Sequence, residues 1–343
     1  MRELSKALCA CSGVSSREDE VRALIQAQAE PYADSLRVDN LGNLIVFKHG
    51  RKSTGKRVLL DAHMDETGVM ASGFTDDGAI RFQTVGPVDR RTLIGKRVYL
   101  GESRIPGVIG MKPIHLTTKS ERNVVPRLKE LYIDIGAKDK AAAKAQLSLG
   151  EVGVFASEFT SFGTKKLCKG KALNSRISCA VLLKLLREEL PADCTFVFAA
   201  QELVGTRGAF GAAFAEKPDI VLCLDGVAAE DGPERTEDKV GVILGQGVVL
   251  PVADRFTIYD RVLFLRLREL AERENIPWQL KAADGGQSDA RSYQRSRCGA
   301  QVAGLALPVR YLHCPTEVAS LEDAEGMLRL TRSFLQSLEE EEQ

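Results

Sequence analysis

Four short apolar runs in this chain each stop abruptly at an ionisable side chain, and that recurrence constrains the fold more than any other feature. Arg57 to Ala62 runs into His63, Met64, Asp65 and Glu66; Cys194 to Ala200 runs into Gln201 and Glu202. Ile220 to Leu224 runs into Asp225, and Val302 to Leu307, followed by Arg310 to Leu312, runs into His313. Short unbroken apolar runs suit strands covered on both faces, because neither side of such a strand meets water. In open α/β sheets ligands gather outside the carboxyl ends of the strands. The chain holds only four histidines, and two of them fall at these ends. Convergence of His, Asp, Glu and His there points to metal-dependent hydrolysis. A serine triad on an α/β-hydrolase plan would need a Gly-x-Ser-x-Gly elbow, which the sequence lacks.

The segments between these runs follow an α/β rhythm. Arg2 to about Cys11 is helix-like, and Ser15 or Ser16 is placed to cap a second helix from Arg17 to Ala29. A hairpin follows, from Leu36 to Val38, through a turn at 39–43, and back along Leu44 to Phe47. From about Gly68 to Phe162 the texture changes to short alternating runs separated by Gly, Pro and Asp, which predicts a small β-rich module with a helix near Lys138 to Leu147. The α/β pattern then resumes. Asn174 to Leu190 is expected as a helix with an apolar face at Ile177, Val181 and Leu185, Phe256 to Glu274 as another, and Ser320 as the cap of the last. The simplest organisation is one α/β domain, residues 1–67 and 163–343, interrupted by an inserted β-rich module at 68–162.

Charge excludes several partners. Forty-seven basic residues balance forty-seven acidic ones, and no basic stripe appears, which disfavours nucleic acid and anionic membranes. No apolar run approaches a membrane span, and Met1 to Gly13 lacks the apolar core of a signal peptide, so a cytoplasmic location is expected. The eight cysteines are scattered without a Cys-x-x-Cys pair, which fits reduced thiols better than a thiolate zinc site.

Taken in order, the local words are Ala62-His63-Met64-Asp65-Glu66, Lys171-Ala172-Leu173-Asn174-Ser175-Arg176, Gln201-Glu202-Leu203-Val204-Gly205, Asp225, Gly285-Gly286-Gln287-Ser288-Asp289-Ala290, and Arg310-Tyr311-Leu312-His313-Cys314-Pro315. This series resembles the tetrahedral, or glutamyl, aminopeptidase family of di-zinc exopeptidases, also known as cellulase-M-like proteins, over essentially the whole chain. The resemblance implies a mixed sheet between helix layers and a PDZ-like β insertion that serves dimerisation. It also implies dimers that build a twelve-subunit particle, and peptide substrates shortened from the N-terminus. It further implies that His63 and Asp225 are metal ligands, that Asp65 orients the His63 ring, that Glu202 is the general base, and that His313 is a ligand of the second metal.

Two positions depart from that pattern. The family's bridging aspartate is Asn174 here, and a ligand glutamate is Leu203. Two divalent ions about 3.5 Å apart repel by about 19 kcal/mol at an effective dielectric of about 20. Three carboxylates and a hydroxide offset this in the family, whereas Asp225 alone remains here. The expectation is therefore at most one zinc or cobalt ion, held by His63, Asp225 and the Asn174 amide oxygen, or none. Rescue by Cys179, Cys223 or Cys314 is the weaker alternative, since free cysteine is usually a core residue. Two functions stay open. One is an aminopeptidase with weakened, single-metal activity on short peptides, assembled as a homo-oligomer between dimer and dodecamer. The other is an inactive homologue that binds peptides or regulates an active relative within a hetero-oligomer. Cellulase activity finds no suitably placed carboxylate pair to support it.

Overall fold

The computed structural model describes residues 1–53, 55–163, 166–233, 241–281 and 286–340. Gly285 of the Gly-Gly word and the end of the acidic tail, 341–343, lie outside the described residues. The first part of the chain holds α1 (Arg2–Ala10), α2 (Asp19–Ala29), β1 (Ser35–Val38), β2 (Leu44–Lys48), β3 (Gly50–Lys52) and β4 (Val58–His63). Six strands follow: β5 (Gly68–Phe74), β6 (Ile80–Val85), β7 (Arg97–Leu100), β8 (Ile105–Gly110), β9 (Tyr132–Asp134) and β10 (Val152–Phe155), with α3 (Lys119–Arg122) and α4 (Lys140–Gln146) among them. The chain continues with β11 (Thr160–Phe162), β12 (Leu167–Gly170), α5 (Leu173–Leu186), β13 (Leu190–Ala192), β14 (Cys194–Ala199), α6 (Arg207–Glu216) and β15 (Ile220–Ala228). It ends with β16 (Val248–Pro251), α7 (Arg261–Arg273), β17 (Trp278–Lys281), α8 (Ala290–Arg295), β18 (Gln301–Arg310), β19 (Glu317–Ser320) and α9 (Leu321–Glu340).

The large sheet runs β1-β2-β14-β4-β15-β18-β19-β12-β11, with β16 and β17 attached beside β18. Its four central strands, β14, β4, β15 and β18, are parallel neighbours, and the flanking strands are antiparallel. The carboxyl ends of these four open at one edge of the sheet, with His63 ending β4, Glu202 following β14 and His313 following β18; β15 runs on to Ala228, so Asp225 sits within the strand rather than at the end expected at Leu224. Side-chain alternation along β4 explains why both faces must be covered. Val58, Leu60 and Ala62 pack into a core shared with α1, α5 and α9, while Leu59 faces a second core built with α6 and α8. Strands β5 to β10 close into a separate barrel around their own core, which includes Val69, Ile80, Phe82, Val98 and Ile133.

Several boundaries differ from the sequence expectation. Neither Ser15 nor Ser16 caps α2; the cap position is Glu18, and Ser15 turns its hydroxyl to Asp65 instead. Helix α5 ends at Leu186 rather than Leu190, because Leu190–Ala192 pairs with β3 as a short parallel ladder. Helix α5 is also buried on all sides except at Lys184, so its apolar face is its whole circumference. Helix α7 starts only at Arg261, where Asp260 accepts the backbone N–H of Leu263. The cap at Ser320 is present, its hydroxyl accepting from the N–H groups of Glu322 and Asp323.

Candidate active site

His63 ends β4 with its ring held from both sides. Nδ1 lies 3.1 Å from Asp65 Oδ1, and Nε2 lies 3.4 Å from Asp225 Oδ1 at the middle of β15. The Asn174 side-chain nitrogen, on the first turn of α5, is 3.3 Å from the same Nε2. Burial opposes charge on this imidazole, yet the hydrogen bonds to Asp225 and Asp65 outweigh it and raise its pKa well above the usual value. With Nε2 protonated, the amide orientation that complements the ring places the Asn174 oxygen toward it.

Asp65 is a hub. Ser15 Oγ donates to it at 2.6 Å, and the backbone N–H groups of Glu202 and Leu203 donate at 3.0 Å each. Burial would raise its pKa, but the bonds from His63 and Ser15 prevail and lower it. The loop after β14 is thereby fixed to the loop after β4. Gln201 takes a positive φ of 59°, and Glu202 turns inward with 3 % exposure. Burial, reinforced by Asp225 and Asp65, pushes Glu202 up to about 8 against the pull of His63. Such a carboxyl can hold and release a proton near neutral pH.

The remaining positions surround a cleft of about 630 Å³, into which Asn174, Glu202, Leu203, Asp225 and His313 all face. His313 follows β18 at a positive φ of 62°, and its N–H donates to Glu317 Oε1 at 2.8 Å. Glu317 also accepts from the Asn174 N–H at 3.2 Å, which ties the two loops together. Burial lowers the His313 pKa and favours the neutral ring that a metal requires. Leu203 abuts Gly86 in the loop after β6, where a Cβ would stand 3.2 Å from Leu203 Cβ. The barrel thus reaches the cleft at the position where the expected glutamate is missing.

The donor set decides what the cleft could hold. Among the described residues no group of three or more His, Cys, Asp and Glu side chains is arranged to hold a metal ion. His63 Nε2 has the Asp225 carboxylate and the Asn174 side chain as neighbours, so the group carries one carboxylate; Leu203 offers no donor, and the group lacks the carboxylates that a bridged pair of ions would need. The cysteines add little. Burial drives Cys179 up to about 12 and raises Cys223 and Cys314 as well, which disfavours the thiolates a metal would need.

Three groups were not singled out from the sequence. Glu66 accepts from Lys171 Nζ at 2.5 and 2.7 Å and from Arg176 at 3.2 Å, all buried, and Arg176 also donates to the Leu8 carbonyl at 2.6 Å. Asp61 receives the Tyr293 hydroxyl at 2.7 Å and shares a buried site with Asp289, where burial raises both carboxyls. Glu18, driven up to about 7 by burial and by nearby Asp65, accepts the Gln201 N–H. The available signals were a lone acid within the apolar run 58–62, and Glu66 beside the metal word.

The family model for M42 glutamyl aminopeptidase matches residues 42–330. The chain belongs to the M42 glutamyl aminopeptidase family. A putative aminopeptidase of Acetivibrio thermocellus is 37% identical over 332 residues, covering 96% of this chain and 97% of the relative. An aminopeptidase structure from Desulfurococcus kamchatkensis superposes with a TM-score of 0.92 at 32% identity, covering 98% of this chain and 94% of that one. The Pyrococcus horikoshii TET1 peptidase, described as able to assemble into a tetrahedron or a large octahedral shell, superposes with a TM-score of 0.84 at 32% identity over 96% of this chain and 98% of its own. Among the described residues of this M42 protein, no helix is long and apolar enough to cross a membrane.

Proposed function

We propose that this M42 protein is an aminopeptidase working with a single divalent ion on short peptides, and with less activity than a two-metal site would give. The observation that carries the reading is the grouping of His63, Asp225 and Asn174 within 3.4 Å contacts beside the buried Glu202. M42 aminopeptidases are metal-dependent. An ion held by His63, Asp225 and the Asn174 oxygen would polarise the scissile carbonyl. Glu202 takes the proton of the attacking water and returns it to the departing amine. Asp65 keeps the His63 ring oriented through Nδ1, and Leu203 presents an apolar wall where relatives of the family pattern carry a ligand. His313 lines the cleft without a partner carboxylate for a second ion.

On the same reading, residues 68–162 are an inserted PDZ-like module that serves dimerisation, set between the two parts of the α/β domain at 1–67 and 163–343. Its closed barrel supports this, and the assembly described for the TET1 relative supports a homo-oligomer.

A second reading is an inactive homologue that binds peptides, alone or with an active relative. It draws on the saturation of His63 by Asp65 and Asp225, a closed arrangement that needs no metal. Elemental mass spectrometry on zinc-equilibrated, desalted protein, paired with peptide turnover by the native chain and Glu202→Gln, separates the two. About one ion per chain with turnover abolished by Glu202→Gln supports the enzyme. No ion and no turnover supports the second reading, and two ions would overturn the account of the lost ligands.

A further inference from the structure

The active-site cleft is not the only sizeable cavity. A second one, of about 470 Å³, opens between α1 and the barrel wall. Lys6 of α1, Arg97 and Tyr99 of β7, Arg104 of the turn after β7, Lys171 and Glu158 line it. None of the residues given a role in the aminopeptidase chemistry lines this cavity.

Its charge is lopsided. Four cations face one carboxylate, Glu158. Two of the cations are already engaged. Lys171 is saturated by both Glu66 oxygens and the Cys11 carbonyl, so it supplies field rather than donors. Arg104 donates to Ser12 Oγ at 2.9 Å, lies 3.7 Å from Glu20, and stacks over the Tyr99 ring at 5.1 Å. Stacking fixes the guanidinium plane while leaving part of its fork open. Among the described residues, the side chains of Lys6 and Arg97 make no hydrogen bond or ion pair, and both residues are exposed at the cavity mouth. Like charges lining one cavity repel one another, and an anion among them offsets that repulsion.

We propose that this cavity binds a small phosphate-bearing molecule, with Arg97, Arg104 and Lys6 as its donors. Guanidinium forks match the tetrahedral oxygens of phosphate in pairs, and a divalent anion offsets three converging cations better than a carboxylate does. The volume exceeds what one phosphate fills, leaving room for an organic remainder against the Tyr99 ring. Free phosphate and a phosphate monoester share this chemistry and differ only in that remainder. Binding here joins α1 to the barrel, because the donors come from both.

The test is isothermal titration of the full chain, stripped of metal by chelation, at low ionic strength. The probes are inorganic phosphate, glycerol phosphate and acetate. Phosphate or its ester is expected to bind at least tenfold more tightly than acetate. Lys6→Ala with Arg97→Ala is expected to weaken binding at least tenfold, and Glu158→Gln to tighten it. Tighter binding of the ester assigns the rest of the cavity to the organic part; tighter binding of free phosphate assigns the site to the anion alone. The proposal is overturned if neither phosphate probe binds, if acetate binds equally well, or if the double variant binds unchanged. Both substituted side chains are exposed, and unchanged melting of the variants keeps a loss of binding distinct from a loss of fold. No arm depends on peptidase turnover, so failure here leaves the single-metal reading untouched.

Discussion

Restoring the two absent carboxylates, by Asn174→Asp together with Leu203→Glu, makes the sharpest demand on the site. Both positions line the cleft beside Glu202 and Asp225, and His63 Nε2 lies 3.4 Å from the Asp225 carboxylate. At an effective dielectric of about 20, two carboxylates about 6 Å apart repel by about 2.8 kcal/mol. Each new carboxyl can escape by taking up a proton, which caps its cost at about 4 kcal/mol at pH 7. The metal-free double variant should therefore lose about 3–8 kcal/mol. Unfolding entropy for a chain of this length converts each kcal/mol into about 1.4 °C, so melting should fall by about 4–11 °C. Zinc at about a hundredfold over its dissociation constant stabilises by about 2.7 kcal/mol per site, returning about 4 °C for each ion bound. The assay is calorimetric melting with and without zinc, alongside metal stoichiometry. A variant that melts like the native chain without metal, gains no zinc-dependent shift and binds no additional ion would refute the claim that these two residues limit the site.

Other expectations follow from the same contacts. Glu66→Gln leaves Lys171 and Arg176 buried without their carboxylate, and should cost about 3–5 kcal/mol, seen as a urea midpoint shift. Gly226→Ala places a Cβ 2.3 Å from Asn174 Cβ, so the start of α5 must move; reduced metal affinity and a loss of about 1–3 kcal/mol in stability are expected. Asp323, whose carboxyl is pushed up to about 6 mainly by burial while accepting from Gly245 and Gly247, binds more protons folded than unfolded between about pH 4 and pH 6. Its contribution is fully present below the unfolded value and is lost as pH rises through the folded one, so Asp323→Asn should remove a falling slope of up to about 1.4 kcal/mol per pH unit from urea midpoints measured across that range.

The chain's own order of residues determined the strands, their carboxyl-terminal polar residues and the two departures at Asn174 and Leu203. Apolar runs and the side chains that end them are local properties; that the ends meet at one edge follows from the parallel pairing of β14, β4, β15 and β18, since antiparallel neighbours would send them to opposite edges. Helix limits were less legible. The Phe256 to Asp260 stretch carries an apolar pattern that continues into α7, yet Asp260 caps the helix later; Leu190 joins a ladder with β3 whose partner lies far away in sequence. Only the tertiary structure decided that Ser15 serves Asp65 rather than α2, that Glu18 and Glu317 hold the loops carrying Gln201 and His313, and that Glu66 joins two buried cations. Each of those side chains has at least one partner distant along the chain; Glu317, four residues from His313, also accepts the Asn174 N–H. Their roles, and the protonation that burial imposes on them, come into being when the sheet brings its strand ends together and excludes water.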